Sequence, residues 1–244
     1  MEADIILGRL TAIVSMLSGI AKLDGVVLQK ALFEALSRHP DFEILWRPRI
    51  PIPDGANVLA AMDHGTSLGA TLLCSGPMTS TVEVDFIVID RVSRVATAFE
   101  CKRGGTCDFG KRRKIIDNLL RVKMVLVDYL VNLRASDPTK LQTEVQSAEV
   151  RLIVYYGKWQ LKPIQTLTRH TIDDYFGIPV TPMVAAAAEL MRRELSANLL
   201  PVLGELLDAL VAQVADPETA PGRADLTTLL TRTLRALNPV ASAL

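Results

Sequence analysis

Val82-Glu83-Val84-Asp85-Phe86-Ile87-Val88-Ile89-Asp90, then Arg91 to Arg94, then Val95-Ala96-Thr97-Ala98-Phe99-Glu100-Cys101-Lys102-Arg103, is the stretch on which the fold turns. Two apolar, β-branched runs separated by a short polar break read as an antiparallel hairpin. With the turn at Val92-Ser93, or spread over Arg91 to Arg94, Asp90 stands against Val95 and Asp85 directly against Glu100. Alternation puts Glu100 and Lys102 on one face and Cys101 on the other. Directly opposed residues have Cβ atoms about 5 Å apart. Two carboxylates at that distance repel and raise each other's pKa unless something positive sits between them. A divalent metal ion is the natural occupant.

Upstream, Ile6, Leu10, Ile13, Val14, Leu17 and Ala21 recur at helical spacing and predict an amphipathic helix over residues 3 to 22. A second helix follows, with Leu28, Ala31, Leu32, Ala35 and Leu36 as its apolar face and His39-Pro40 as its end. Phe42 to Ile50 reads as one strand whose neighbouring prolines suit an edge or an early end to pairing. Residues 54 to 80 are the least legible, with one short apolar run at Ala70 to Cys74 that suits an extra strand or a loop over the site. Downstream of the hairpin, Gly104-Gly105 leads to a long helix from about Lys111 to Leu133 and then to a strand at Val150 to Tyr156. A strand, a long helix and a strand imply a crossover with the two strands parallel. Beyond Gly177 alanine and leucine dominate. Pro182 to Asn198, Pro201 to Val214 and Asp225 to Leu237 read as three helices, with a linker at Asp216 to Arg223.

The chain has 244 residues, 49% of them hydrophobic, and 27 basic against 27 acidic residues, so it carries a core of real size and no global basic signature. The positive charge is local. From Glu100 to Lys123, Lys102, Arg103, Lys111, Arg112, Arg113, Lys114, Arg121 and Lys123 face only Glu100, Asp108 and Asp117. Lys111-Arg112-Arg113-Lys114 opens the long helix, where the macrodipole disfavours cations, so backbone phosphates are their expected partners. The cysteines, Cys74, Cys101 and Cys107, lack knuckle spacing, which points to reduced thiols in a cytoplasmic protein and away from zinc. Neither the N-terminal apolar run, interrupted by Arg9, nor Leu199 to Val214, with Glu205 and Asp208, suits export or a membrane span.

With an acidic residue in the second strand, Glu-x-Lys in the third, and the order helix, three strands, helix, strand, residues 25 to 157 resemble the PD-(D/E)XK nuclease superfamily. The resemblance implies an α/β restriction-endonuclease-like core, a mixed sheet flanked by helices, with a helical C-terminal extension. The domains expected are an N-terminal helix at 1–24, the nuclease-like core at 25–177 and the extension at 178–244. It further implies a magnesium-dependent nuclease, manganese being able to substitute, that acts on nucleic acid, DNA first. Asp85 and Glu100 would bind the metal with the Cys101 carbonyl, and Lys102 would position or activate the attacking water. Glu34, at the margin of the second helix's apolar face, matches a glutamate that many members draw from their first core helix. Arg103 and the Lys111 to Lys114 cluster would hold the nucleic acid. Glu83 shares the face of Asp85 by alternation and could replace or assist it as a ligand; Asp90 reads as a turn residue. His39 and His170 read as element ends, His64 as a loop residue, and Trp46 and Trp159 as packing residues. The rival expectations are a non-catalytic scaffold or binding module of the same fold, and a structural ionic network of Asp85, Glu100 and Lys102. A homodimer or a partner protein would use the apolar helices after residue 182.

Overall fold

The computed structural model describes residues 25–62, 69–74, 78–104, 109–157 and 160–215. The expected helices at 3–22 and Asp225–Leu237, the linker after residue 215, His64, Gly105, Cys107 and Trp159 lie outside them. Leu32–Thr181 forms one compact unit; the described residues 25–31 and 182–215 belong to a second.

Helix α1 (residues 25–37) buries Leu28, Ala31, Leu32, Ala35 and Leu36, the stripe that its spacing predicts. It closes with the His39 N–H on the Leu36 carbonyl at 3.0 Å, just ahead of Pro40. Strand β1 (Phe42–Trp46) is followed by β2 (Arg49–Pro53), α2 (Asp54–Met62), β3 (Met78–Glu83), β4 (Phe86–Asp90) and β5 (Val95–Lys102). Helix α3 (Phe109–Ser136) then leads to β6 (Ser147–Val154), β7 (Gln165–Leu167), α4 (Ile172–Phe176) and α5 (Val180–Ala215). The five-stranded sheet has the order β1-β4-β5-β6-β7; β2 and β3 make a separate pair. Strand β4 runs antiparallel to both of its neighbours, β1 and β5, and β5, β6 and β7 run parallel, so the sheet is mixed. One helix, three sheet strands, a helix and a parallel strand therefore occur in the order expected, with β2, α2 and β3 inserted between the first two sheet strands.

The structure corrects the reading of two strands as straight. Phe42 to Ile50 and Val82 to Asp90 each break in the middle, into β1 and β2 and into β3 and β4. The two halves keep one register across the break, with Trp46 opposite Phe86 on one side and Arg49 opposite Glu83 on the other. The pair is thus one long antiparallel ribbon bent at Arg47-Pro48 and Val84-Asp85. Pro48 has no N–H to give, and Arg47 adopts a left-handed φ of 45° that turns the chain. Residues 54 to 80 hold a helix and the start of β3, while Ala70 to Cys74 forms no strand. At the C-terminus, the two helices expected on either side of Pro201 are one helix of 36 residues. Proline removes a hydrogen-bond donor but has a helix-compatible φ, and the apolar helix-forming residues on both sides carry the run through it.

Packing divides the sheet's two faces. Ile87, Ile89, Ala96, Ala98, Leu152 and Val154 face Leu119, Leu120, Val122 and Leu126 of α3 in one core. The small alanines of β5 let the helix approach closely. On the opposite face Phe86 stacks on Phe99 at 5.1 Å, and Phe176 of α4 packs on Phe99 and Phe42 at 5.5 and 5.9 Å. Trp46 packs edge-on against Phe33 of α1 at 5.0 Å, as a half-buried packing residue. No helix among the described residues is long and apolar enough to cross a membrane.

Candidate acidic site at the fork of the sheet

Pairing of β4 with β5 ends at Phe86 opposite Phe99, which places Asp85 opposite Glu100 one step further on. The Asp85 N–H donates to the Phe99 carbonyl at 3.1 Å, and the Arg47 N–H donates to the Asp85 carbonyl at 3.0 Å. Asp85 is thus strapped to both neighbouring strands at the point where the ribbon bends away. Beyond that point β5 continues to Lys102 with β6 on one side only. The N–H and C=O of a strand residue point the same way, so Cys101, two residues after Phe99, turns both groups toward the gap that the departing ribbon leaves. Its N–H donates to Asp85 Oδ2 at 2.6 Å. Its carbonyl faces the same opening.

Glu100 and Lys102 continue the face of Ala96 and Ala98 past the apolar core. Lys102 Nζ donates to Glu100 Oε1 at 2.6 Å, with the lysine side chain 38% exposed and the glutamate 21%. Burial first, then the charge of Glu100, raises the Asp85 carboxyl above its ordinary value, against the opposing pull of the Cys101 N–H, Lys102 and Arg47. Burial would lower Lys102, but Glu100 beside it and Asp85 beyond hold it above the usual range. Two carboxylates and a carbonyl form an all-oxygen donor set, which suits magnesium, an ion that keeps several waters and takes only a few protein ligands. Among the described residues no group of three His, Cys, Asp or Glu side chains is placed to hold a metal, so a cation at the fork would need the backbone oxygen as its third protein ligand.

The other residues singled out from the sequence fall in several places. Glu34 is exposed on α1 and takes no part in the bonds that join Asp85, Cys101, Glu100 and Lys102. Glu83 does not assist Asp85: it lies beyond the bend, on the two-stranded sheet, and binds Arg47 and Arg49. Alternation fails here because the strand that was to carry both residues is kinked between them. The Cys101 thiol is buried and pushed well up by that burial, which leaves the main chain as its contribution. Asp90 caps the hairpin turn through the Val92 and Ser93 N–H groups at 2.8 and 3.1 Å, as a turn residue does. Gly104 has a φ of 139°, and a Cβ there would meet the Gly157 nitrogen at 2.8 Å, so close packing of two strand exits accounts for this glycine.

Arg103 is exposed, with its guanidinium 5.6 Å from the centroid of the Tyr156 ring. Lys111, Arg113 and Lys114 are exposed on the first turns of α3 and Arg112 is half-buried. Five chain steps join Gly104 to Phe109, a reach of at most about 18 Å. The basic cluster therefore opens at the same end of the sheet as Lys102. Arg47 and Arg49, which bind Glu83 at and just past the bend, are residues that charge counting and strand alternation do not single out. Their signal is nevertheless present in Arg47-Pro48-Arg49, two cations around a proline at the end of an apolar strand.

Comparison with protein-family models, with curated proteins and with solved structures gives no match.

Proposed function

We propose that this chain is a magnesium-dependent nuclease of the restriction-endonuclease-like kind, hydrolysing phosphodiester bonds in nucleic acid, DNA first. One observation carries the reading. Asp85 and Glu100 stand opposite each other where the ribbon leaves β5, with the Cys101 carbonyl and Lys102 at the same opening. Bound there by the Asp85 and Glu100 carboxylates and the Cys101 carbonyl, magnesium would supply charge neutralisation at the phosphate and a more acidic water. Lys102, held protonated beside Glu100, adds a second positive charge where negative charge develops on the phosphoryl oxygens. Asp85, fixed by the Cys101 N–H, keeps its position without a rearrangement on binding. The apolar segment after residue 182 is proposed as a self-association surface, which light scattering on the full chain tests.

The second reading is a non-catalytic member of the same fold, and the Lys102 to Glu100 ion pair favours it, since that bond satisfies both charges within the chain. Incubation of the protein with supercoiled plasmid, single-stranded DNA and RNA, with magnesium and with chelator, separates the two. Magnesium-dependent cleavage lost in Asp85→Asn supports the nuclease. No cleavage, together with no carboxylate-dependent magnesium binding by calorimetry, establishes the scaffold.

A further inference from the structure

We infer that Arg47 and Arg49, braced by Glu83, form an anion subsite on the Asp85 side of the fork that grips a phosphate flanking the scissile one. This rests on the nuclease reading above and extends it to the path of the substrate.

The position comes from the register. One step past the paired ends of β1 and β4, the registers set Arg47 opposite Asp85 and Asp85 opposite Glu100 of β5, a span of about 10 Å at the usual strand spacing. The backbone N–H of Arg47 holds the Asp85 carbonyl. The Arg47 guanidinium lies on Glu83 past the bend, near enough for its charge to act on the Asp85 carboxyl.

Conformation and charge both point to a ligand. A left-handed φ at a residue other than glycine, asparagine or aspartate is uncommon, and the bend at residue 47 would be served at lower cost by one of those. An arginine occupies it instead, with a side chain 54% exposed, so core packing does not explain the choice. Arg47 Nε donates to Glu83 Oε1 at 2.9 Å, and Nη2 donates to the same oxygen. Arg49, 78% exposed, places its Nε on Glu83 Oε2 at 3.1 Å. One carboxylate thus aligns two guanidinium groups and leaves the cluster with a net positive charge. Exposed ion pairs contribute little to stability. Aligned guanidinium edges, by contrast, fit the paired oxygens of a phosphate. Asp85 and Glu100 repel an anion that lacks a metal partner, which directs this subsite to the neighbouring phosphate.

The nucleic acid would then cross the end of the sheet from Arg47 and Arg49, over the carboxylates, toward Arg103 and the first turns of α3. The test uses Arg47→Asn, which suits the left-handed conformation, and Arg49→Gln, which alters an exposed side chain. Fluorescein-labelled duplex and single-stranded DNA report binding by anisotropy over a series of salt concentrations, and calorimetry reports magnesium binding. Each variant is expected to weaken DNA binding about tenfold, to lower the salt slope by about 0.9, and still to bind magnesium. In cleavage assays KM rises while kcat is kept, the mark of an interaction made equally in ground and transition states. Variants with unchanged affinity, salt slope and KM overturn the subsite, as does a wild-type chain that binds neither DNA. Failure of the nuclease reading is a different result: wild-type protein that binds no magnesium and cleaves nothing, whatever the arginine variants do.

Discussion

The Asp85 carboxylate accepts the Cys101 backbone N–H at 2.6 Å, taking the place of the strand that bends away at Val84-Asp85. One side chain therefore has two roles, ending a β-ladder and facing Glu100. The roles separate by mutation. Asp85→Asn keeps an acceptor for Cys101 and removes the charge, so thermal stability without metal should stay within about 1 kcal/mol of wild type or rise. Asp85→Ala orphans the N–H and should cost about 1–3 kcal/mol. Both should lose magnesium binding by calorimetry, and retention by Asp85→Asn would place any metal elsewhere.

Gly104→Ala should destabilise the chain by about 2 kcal/mol or more, because the left-handed φ and the close approach to Gly157 each oppose a side chain. Denaturant unfolding measures it. An alanine variant as stable as wild type would mean that the strand exits have room to separate.

Glu43 ties β1 to the segment before β6, accepting the Gln142 N–H at 2.6 Å, and the Thr143 N–H and hydroxyl at 2.9 and 2.7 Å. Burial works to raise this carboxyl, but the Thr143 hydroxyl and the two backbone N–H groups together hold it below its ordinary value of 4.5. Its contribution to stability is therefore complete above that pH and is lost as pH falls through the lower native value. Glu43→Gln should cost about 1 kcal/mol at neutral pH, after allowance for solvent screening, and should flatten the stability profile below pH 4.5. A variant that loses stability in acid as steeply as wild type would exclude this carboxylate from the acid transition.

Replacing Lys111, Arg113 and Lys114 with glutamine should weaken DNA binding across sequences and reduce the salt slope by about 0.9 for each phosphate that is no longer neutralised. Turnover at saturating substrate should persist, since these side chains lie outside the carboxylate fork. Loss of turnover with the fold intact would move the catalytic centre to α3.

Local pattern was enough to read the hairpin register. Alternation and a short polar turn set Asp85 against Glu100 and Glu100 beside Lys102, and the β5-α3-β6 crossover followed from a strand, a long apolar-striped helix and a second strand. These features depend on neighbours in sequence, where periodicity is a direct record of which face is buried. The bend at Arg47-Pro48 and Val84-Asp85 was not legible, because it is a property of two segments 37 residues apart that must turn together. Only their pairing showed that Glu83 leaves the face of Asp85, that the Cys101 main chain opens onto the gap, and that Arg47 stands opposite Asp85. The run through Pro201 has the same origin: proline disfavours a helix locally, and the longer context of the chain overrides it.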